Sequence, residues 1–113
     1  MVEPRRGDLV LIREDPDAPA EPVRTRLVLV VSADAMNRHA PEVLVAPVTS
    51  ELEPRYPSEV VLPAARTGLG HEGKVRLHRV RPVERGRLLK VLGRLPEDLM
   101  RLVDERLLAV FGL

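Results

Sequence analysis

Two apolar runs, Arg26–Ser32 (RLVLVVS) and Val43–Thr49 (VLVAPVT), decide the fold. Each has the length of a strand and is rich in β-branched valine. Because the apolar residues are continuous rather than alternating, both runs are predicted to be strands covered on both faces. Pro47 inside the second run has no N–H to give a ladder, which predicts that part of this strand is an edge or a bulge. Working outward, Asp8–Arg13 (DLVLIR) alternates like a strand, and Glu14–Pro22 (EDPDAPAEP) is a proline- and acid-rich loop. Ala33–Pro41 reads as one helical turn or a loop, and Glu51–Pro57 as a loop. Glu59–Leu62 is a strand, Gly68–Gly73 a turn, and Lys74–Val83 (KVRLHRVRPV) a half-exposed strand alternating charged and apolar residues. Leu88–Leu95 is a last strand weakened by Gly93.

The C-terminus is a helix. Pro96 suits its first position, and Glu97 and Asp98 suit the positive end of its dipole. Leu99, Leu102, Val103, Leu107 and Val110 form an apolar stripe, and Gly112 suits the C-cap. About six short strands and one helix predict a mostly β (α+β) fold. The expected architecture is one domain over residues 1–113, a small β-barrel crossed by a C-terminal α-helix.

Composition narrows the chemistry. The chain has no cysteine, which excludes disulfides, thiolate metal sites and thiol nucleophiles. No apolar run approaches the roughly 20 residues of a membrane helix, and the N-terminus is charged from the start, so a cytoplasmic location is expected. Net charge is only +1, so a polyanion site requires positive charge gathered on one face. Sixteen of the 18 basic residues are arginine, whose planar fork suits phosphates. Tyr56 and Phe111 are the only aromatic residues, too few for a base-stacking platform. His39, His71 and His78 lack metal-site spacing, and no metal or cofactor is expected. There is no nucleophile elbow, P-loop or dinucleotide fingerprint.

Several short motifs, taken in order, resemble the MazF/PemK toxins over nearly the whole chain. They are Arg6-Gly7-Asp8 opening the first strand, Asp15-Pro16 in the loop, and Glu21 ahead of Arg26. The apolar strand ending in Ser32 follows, then Asn37 and the strand ending Ala46-Pro47-Val48-Thr49-Ser50. Tyr56-Pro57-Ser58-Glu59-Val60, Gly68-Leu69, Gly93-Arg94-Leu95-Pro96 and the Phe111-Gly112-Leu113 end complete the set. The interval from Arg26 to Thr49 is the one the family shows between its two catalytic positions. The resemblance implies an SH3-like barrel, a homodimer, and single-stranded RNA bound along the dimer interface. It also implies cleavage to a 2′,3′-cyclic phosphate and a 5′-hydroxyl, and a cognate antitoxin whose tail fills the groove. Four departures stand out. Leu27 replaces a proline, Pro19–Val23 replaces a glycine-bearing loop, Arg79 replaces a glutamine, and Pro82 replaces a threonine.

On this resemblance Arg26 and Thr49 are the catalytic residues. Arginine is a poor base, so Arg26 is expected to clamp the pentacoordinate phosphorane, with proton donation to the leaving oxygen as a second role, and Thr49 to hold a nonbridging oxygen or the attacking hydroxyl. Glu21 is expected to orient Arg26 or to read a base edge, with a solvated loop acid as the alternative. Ser32, Asn37, Ser50, Arg79 and Arg81 are the further candidate RNA contacts; packing, capping or plain exposure are the alternatives. Two other functions fit the same fold: a gyrase poison resembling CcdB, which uses a tryptophan this chain lacks, and a catalytically weakened RNA- or antitoxin-binding module.

Overall fold

The computed structural model describes residues 2–15 and 19–113. Residues 16–18 of the predicted Glu14–Pro22 loop, including Pro16 of the Asp15-Pro16 pair, lie outside the described residues. The elements in chain order are β1 (Asp8–Glu14), β2 (Arg24–Val30), α1 (Asp34–His39), β3 (Glu42–Thr49), β4 (Glu59–Leu62), α2 (Ala64–Thr67), β5 (Gly73–Arg76), β6 (Arg81–Glu84), β7 (Leu88–Arg94) and α3 (Glu97–Phe111). The sheet is antiparallel throughout, in the order β4-β5-β3-β2-β1-β7, with β6 paired to the first half of β3.

The expected barrel is corrected in one respect: the sheet is SH3-like but is not closed. Going round through β3, β2, β1 and β7, the return to β6 is made by the chain turn at residues 85–87. Among the described residues, no ladder joins β6 to β7.

Alternation sorts the side chains into two cores. Leu9, Leu29, Ala46, Val60, Leu62, Val75 and Leu77 form one, sealed by Val103 of α3. Val10, Ile12, Val28, Val30, Val43, Val45, Val83 and Leu88 form the other. The middle of the sheet is therefore covered on both faces, and Val28, Leu29 and Val30 have no exposed surface. This is why the first diagnostic run is continuous rather than alternating.

Three further expectations change. Lys74–Val83 is not one strand: a 3-10 turn at Leu77–Arg79 divides it into β5 and β6, which pair with different parts of β3. Leu77 is buried there, so the alternating pattern conceals a turn around a core residue. Pro96 is the N-cap of α3, with extended backbone, and the helix begins at Glu97. Val110, at the end of the predicted stripe, is exposed. Pro82 is accommodated because β6 pairs on one side only, with β3.

Gly7 and Gly93 bear directly on how the sheet is assembled. Gly7 has φ of 94°, which a side chain resists. Its N–H donates to the Val30 carbonyl and its carbonyl accepts from Leu95, tying β1 to the ends of β2 and β7. Gly93 faces α2: a Cβ there would lie 2.2 Å from the Thr67 carbonyl oxygen. What looked like a weak point in β7 is the place where a helical turn packs directly on the strand. Gly93→Ala is expected to destabilise the fold by about 1–3 kcal/mol or more, since the backbone must move to relieve the overlap. A lowered urea midpoint at unchanged m-value is the check.

Candidate active-site cleft

The face of the sheet that carries the second core does not end at its apolar residues. Along β2 it runs outward from Val30 and Val28 to Arg26, and along β1 from Val10 and Ile12 to Glu14. Along β3 it passes from Val43 and Val45 to Pro47 and Thr49. The last paired residues of β2 and β3 are Val28 and Pro47. Beyond Pro47, β3 leaves its partners and pairs with β5 instead, Val48 with Val75 and Thr49 with Lys74. Continuing the β2–β3 register two residues past its last pair sets Arg26 opposite Thr49. The expectation that Pro47 marks an edge or bulge thus corresponds to this parting of strands.

A cleft of about 630 Å³ opens there, lined by Glu14, Arg26, Leu27, Val28, Pro47, Val48, Thr49, Glu51, Arg76, Arg79 and Arg81. Four arginines face two glutamates, so the positive charge that the chain as a whole lacks is gathered at this site. Arg26 Nε donates to Glu14 Oε2 at 3.0 Å, and Arg81 pairs with the other oxygen of the same carboxylate. Held by its Nε, Arg26 keeps its two terminal nitrogens for a forked contact. Thr49 Oγ1 accepts the Glu51 N–H at 3.1 Å, which leaves the hydroxyl hydrogen free to donate.

Of the predicted residues, Arg26, Thr49, Arg79 and Arg81 come together in this cleft. Glu21 does not: it sits in the bend ahead of β2, and Glu14 is the acid that holds Arg26. The hairpin register Ile12↔Arg26 and Glu14↔Arg24 makes Glu14 and Arg26 diagonal neighbours on one face. In the sequence Glu14 reads as part of a loop, and only the register of β1 with β2 brings it to Arg26. Ser50 is exposed beside the cleft without lining it.

Ser32 and Asn37 do not line the cleft: both are buried, in line with the packing and capping alternatives. Asn37 Nδ2 donates to the Ser32 carbonyl at 2.9 Å, the two side chains hydrogen-bond to each other, and Ser32 Oγ accepts the Leu44 N–H. They fasten α1 to the start of β3. Of the histidines, His78 hydrogen-bonds Ser58 Oγ and His71 the Glu72 carbonyl, and none lines the cleft.

Residues 5–111 match the family model described as PemK-like, MazF-like toxin of type II toxin–antitoxin system. The chain belongs to this family. Endoribonuclease EndoA of Bacillus subtilis is 30% identical over 91% of this chain and 90% of its own length. Endoribonuclease MazF9 of Mycobacterium tuberculosis is 33% identical over 91% and 92%. Among solved structures, the MazE-MazF complex (Form-II) from Deinococcus radiodurans superposes with a TM-score of 0.85 at 32% identity, covering 100% of this chain and 99% of that one.

Some of the family-like motifs prove to be architectural in this member. In Arg6-Gly7-Asp8, Asp8 accepts the Arg5 N–H and pairs with Arg94. Arg6 donates to the Val31 carbonyl and pairs with Asp104 of α3. Beside the cleft, Glu59 and Lys74 form a buried ion pair at 3.0 Å, their side chains 2% and 5% exposed. Glu59 Oε1 also accepts the Tyr56 N–H at 2.8 Å, and Lys74 donates to the Pro54 carbonyl, so the pair anchors the loop between Thr49 and β4. Among the described residues no group of three or more His, Asp or Glu side chains converges as a metal-binding set. No helix is long and apolar enough to cross a membrane.

The Glu59 carboxyl experiences opposing effects. Burial pushes its pKa up, but the Lys74 hydrogen bond and charge, the Tyr56 N–H and Arg76 more than offset this and hold it below the usual value. Asp34 is likewise lowered, chiefly by the Arg6 N–H. Groups depressed in the folded state add stability above their unfolded pKa and lose it as pH falls through the folded value. Melting temperature is therefore expected to hold from neutral pH down to the ordinary carboxyl range, about 3.9–4.3, and to drop below it. Glu59→Gln should lower stability at neutral pH, because it leaves Lys74 buried without its counter-charge, and should flatten the acid limb. Thermal melts of both proteins from pH 7 to pH 3 check this.

Proposed function

We propose that the protein is a toxin endoribonuclease that cuts single-stranded RNA without a metal, acting in the cytoplasm. The observation that carries the reading is the opposition of Arg26 and Thr49 across a positively charged cleft, in a chain that is about 30% identical to proteins named endoribonucleases over nine-tenths of its length. In this mechanism the 2′-oxygen attacks the adjacent phosphorus, the P–O5′ bond breaks, the 2′-hydroxyl gives up its proton and the 5′-oxygen gains one. The products are a 2′,3′-cyclic phosphate and a 5′-hydroxyl. Charge builds on the nonbridging oxygens of the phosphorane, and the terminal nitrogens of Arg26 meet that charge with a planar fork. The Thr49 hydroxyl, already accepting from Glu51, donates to one of those oxygens. Glu14 keeps Arg26 aimed. Arg79 and Arg81 bind the RNA backbone beside the cut.

The active form is proposed to be a homodimer. Leu89, Val91 and Leu92 on β7, together with Leu108, Val110 and Phe111 on α3, leave apolar surface that a second copy would cover. The cleft must attract phosphates, so an antitoxin segment bearing carboxylates and apolar anchors fits it by the same electrostatics and folds as it binds. Relatives solved as MazE-MazF complexes support this partner.

Arg26→Ala and Thr49→Ala should each reduce cleavage by about 10²–10³ while the fold persists, the usual cost of one preorganised donor. Arg26→Lys should also fail, because a point charge does not reproduce the fork. Cleavage should continue in EDTA. An RNA with one 2′-deoxyribose just 5′ of the cut should bind and resist. Equal cutting of the deoxy substrate would sink the internal-nucleophile mechanism.

Sedimentation at micromolar concentration should show a dimer, and antitoxin peptide should displace RNA from it. A monomer alone, or simultaneous binding of peptide and RNA without mutual weakening, is the contrary result.

A further inference from the structure

Arg76 belongs to none of the sites expected from the sequence. It was the third residue of a predicted strand, with no signal to distinguish it from other exposed arginines. It lies at the end of β5, where the 3-10 turn Leu77–Arg79 begins. Residues three apart eclipse one another on such a turn, and Arg76 and Arg79 both face the cleft while His78 between them turns away to Ser58.

The two ends of the Arg76 side chain have different surroundings. Its Nε is buried 3.2 Å from Glu59 Oε2, yet the two are not aligned to share a hydrogen, and both atoms lack a hydrogen-bond partner among the described residues. The other oxygen of Glu59 is taken by Lys74 and the Tyr56 N–H. One buried carboxylate therefore stands against two cations, Lys74 and Arg76. Lys74 is enclosed, so the excess positive charge falls on the guanidinium of Arg76, which reaches the cleft. The ratio of one carboxylate to two cations is the same at Glu14, but there both cations, Arg26 and Arg81, line the cleft and share the carboxylate directly.

We infer that Arg76 is a substrate-binding residue that takes a phosphodiester of the RNA other than the one being cut, with Glu59 fixing the root of its side chain. The inference rests on the RNA-cleaving function proposed above. An anion at the guanidinium tip would accept from the two terminal nitrogens, while the buried Nε stays beside Glu59. A phosphate fits better than a base edge, because the guanidinium lies in a cleft also lined by Arg26, Arg79 and Arg81.

The test is binding and cleavage of a short single-stranded RNA carrying a mapped cut site. Arg76→Ala should raise KM roughly five- to tenfold with a smaller fall in kcat, and should reduce the slope of log affinity against log salt by about 0.7, the value of one phosphate contact on a single strand. Arg76→Lys should recover most of the salt slope. Replacing single phosphates by uncharged methylphosphonates should find one position, not the scissile one, that weakens binding to the wild type and has no further effect on Arg76→Ala. Circular dichroism and melting of the variants establish that the fold is kept. Wild-type protein that cuts, with an Arg76→Ala variant of unchanged KM and salt slope, would overturn this inference alone. Wild-type protein that neither binds nor cuts RNA would overturn the proposed function and this inference with it. A methylphosphonate effect that persists undiminished in Arg76→Ala would also overturn it, by assigning that phosphate to another residue.

Discussion

The parting of β2 and β3 at Pro47 is the constraint on which the rest of the structure depends. Two antiparallel strands in register would ordinarily continue pairing to the hairpin edge. Proline has no N–H for that purpose, and beyond it β3 turns to β5. A single strand thus serves three ladders, with β2 and β6 along its first part and β5 along its last two residues. The gap left between Arg26 and Thr49 is the cleft. Its floor is the remainder of the apolar strand surface, Leu27, Val28, Pro47 and Val48, so the polar site is built directly on the packed core that gives it rigidity.

Charge is handled locally. The net charge of +1 conceals a cleft with four arginines and two glutamates. Glu14 accepts from two arginines on different strands, which brings β2 and β6 to a common point and reduces the repulsion between their cations. On the other wall, Glu59 is enclosed with Lys74 and balances only one of its two positive neighbours. Neither arrangement adds much stability: the Glu14 pairs are solvent-exposed and screened, and desolvation consumes much of the attraction of the buried Glu59–Lys74 pair. Their evident effect is positional: each fixes the inner part of an arginine and leaves the outer part facing the cleft.

One loop joins the cleft to the buried Glu59–Lys74 pair. The segment between Thr49 and β4 starts at a cleft residue, passes the Pro54 carbonyl and the Tyr56 N–H, and ends at Glu59. Lys74 and Glu59 hold those two backbone groups. Lys74 is also the ladder partner of Thr49. Disturbance of the buried pair therefore reaches Thr49 by two routes, through the loop and through the strand.

Much of this architecture was legible in the sequence because it rests on local periodicity. Continuous apolar runs marked the doubly covered strands, and the helical stripe and Gly112 marked α3; Arg26 and Thr49 were singled out by the resemblance to MazF/PemK toxins and not by periodicity, and both line the cleft. The tertiary structure decided what local pattern cannot encode. Ser32 and Asn37 look like binding residues on a strand end and a turn, but packing turns them toward each other and buries them. Glu21 is nearer to Arg26 in sequence than Glu14, yet the hairpin brings Glu14 to it across 12 residues. The alternation from Lys74 to Val83 hid a turn, and with it the placement of Arg76, because a strand and a strand–turn–strand can show the same polarity. The sequence by itself determined which apolar strand residues form most of the core. Which polar residues share one space was decided by register and by the point at which paired strands separate, and those depend on the whole sheet.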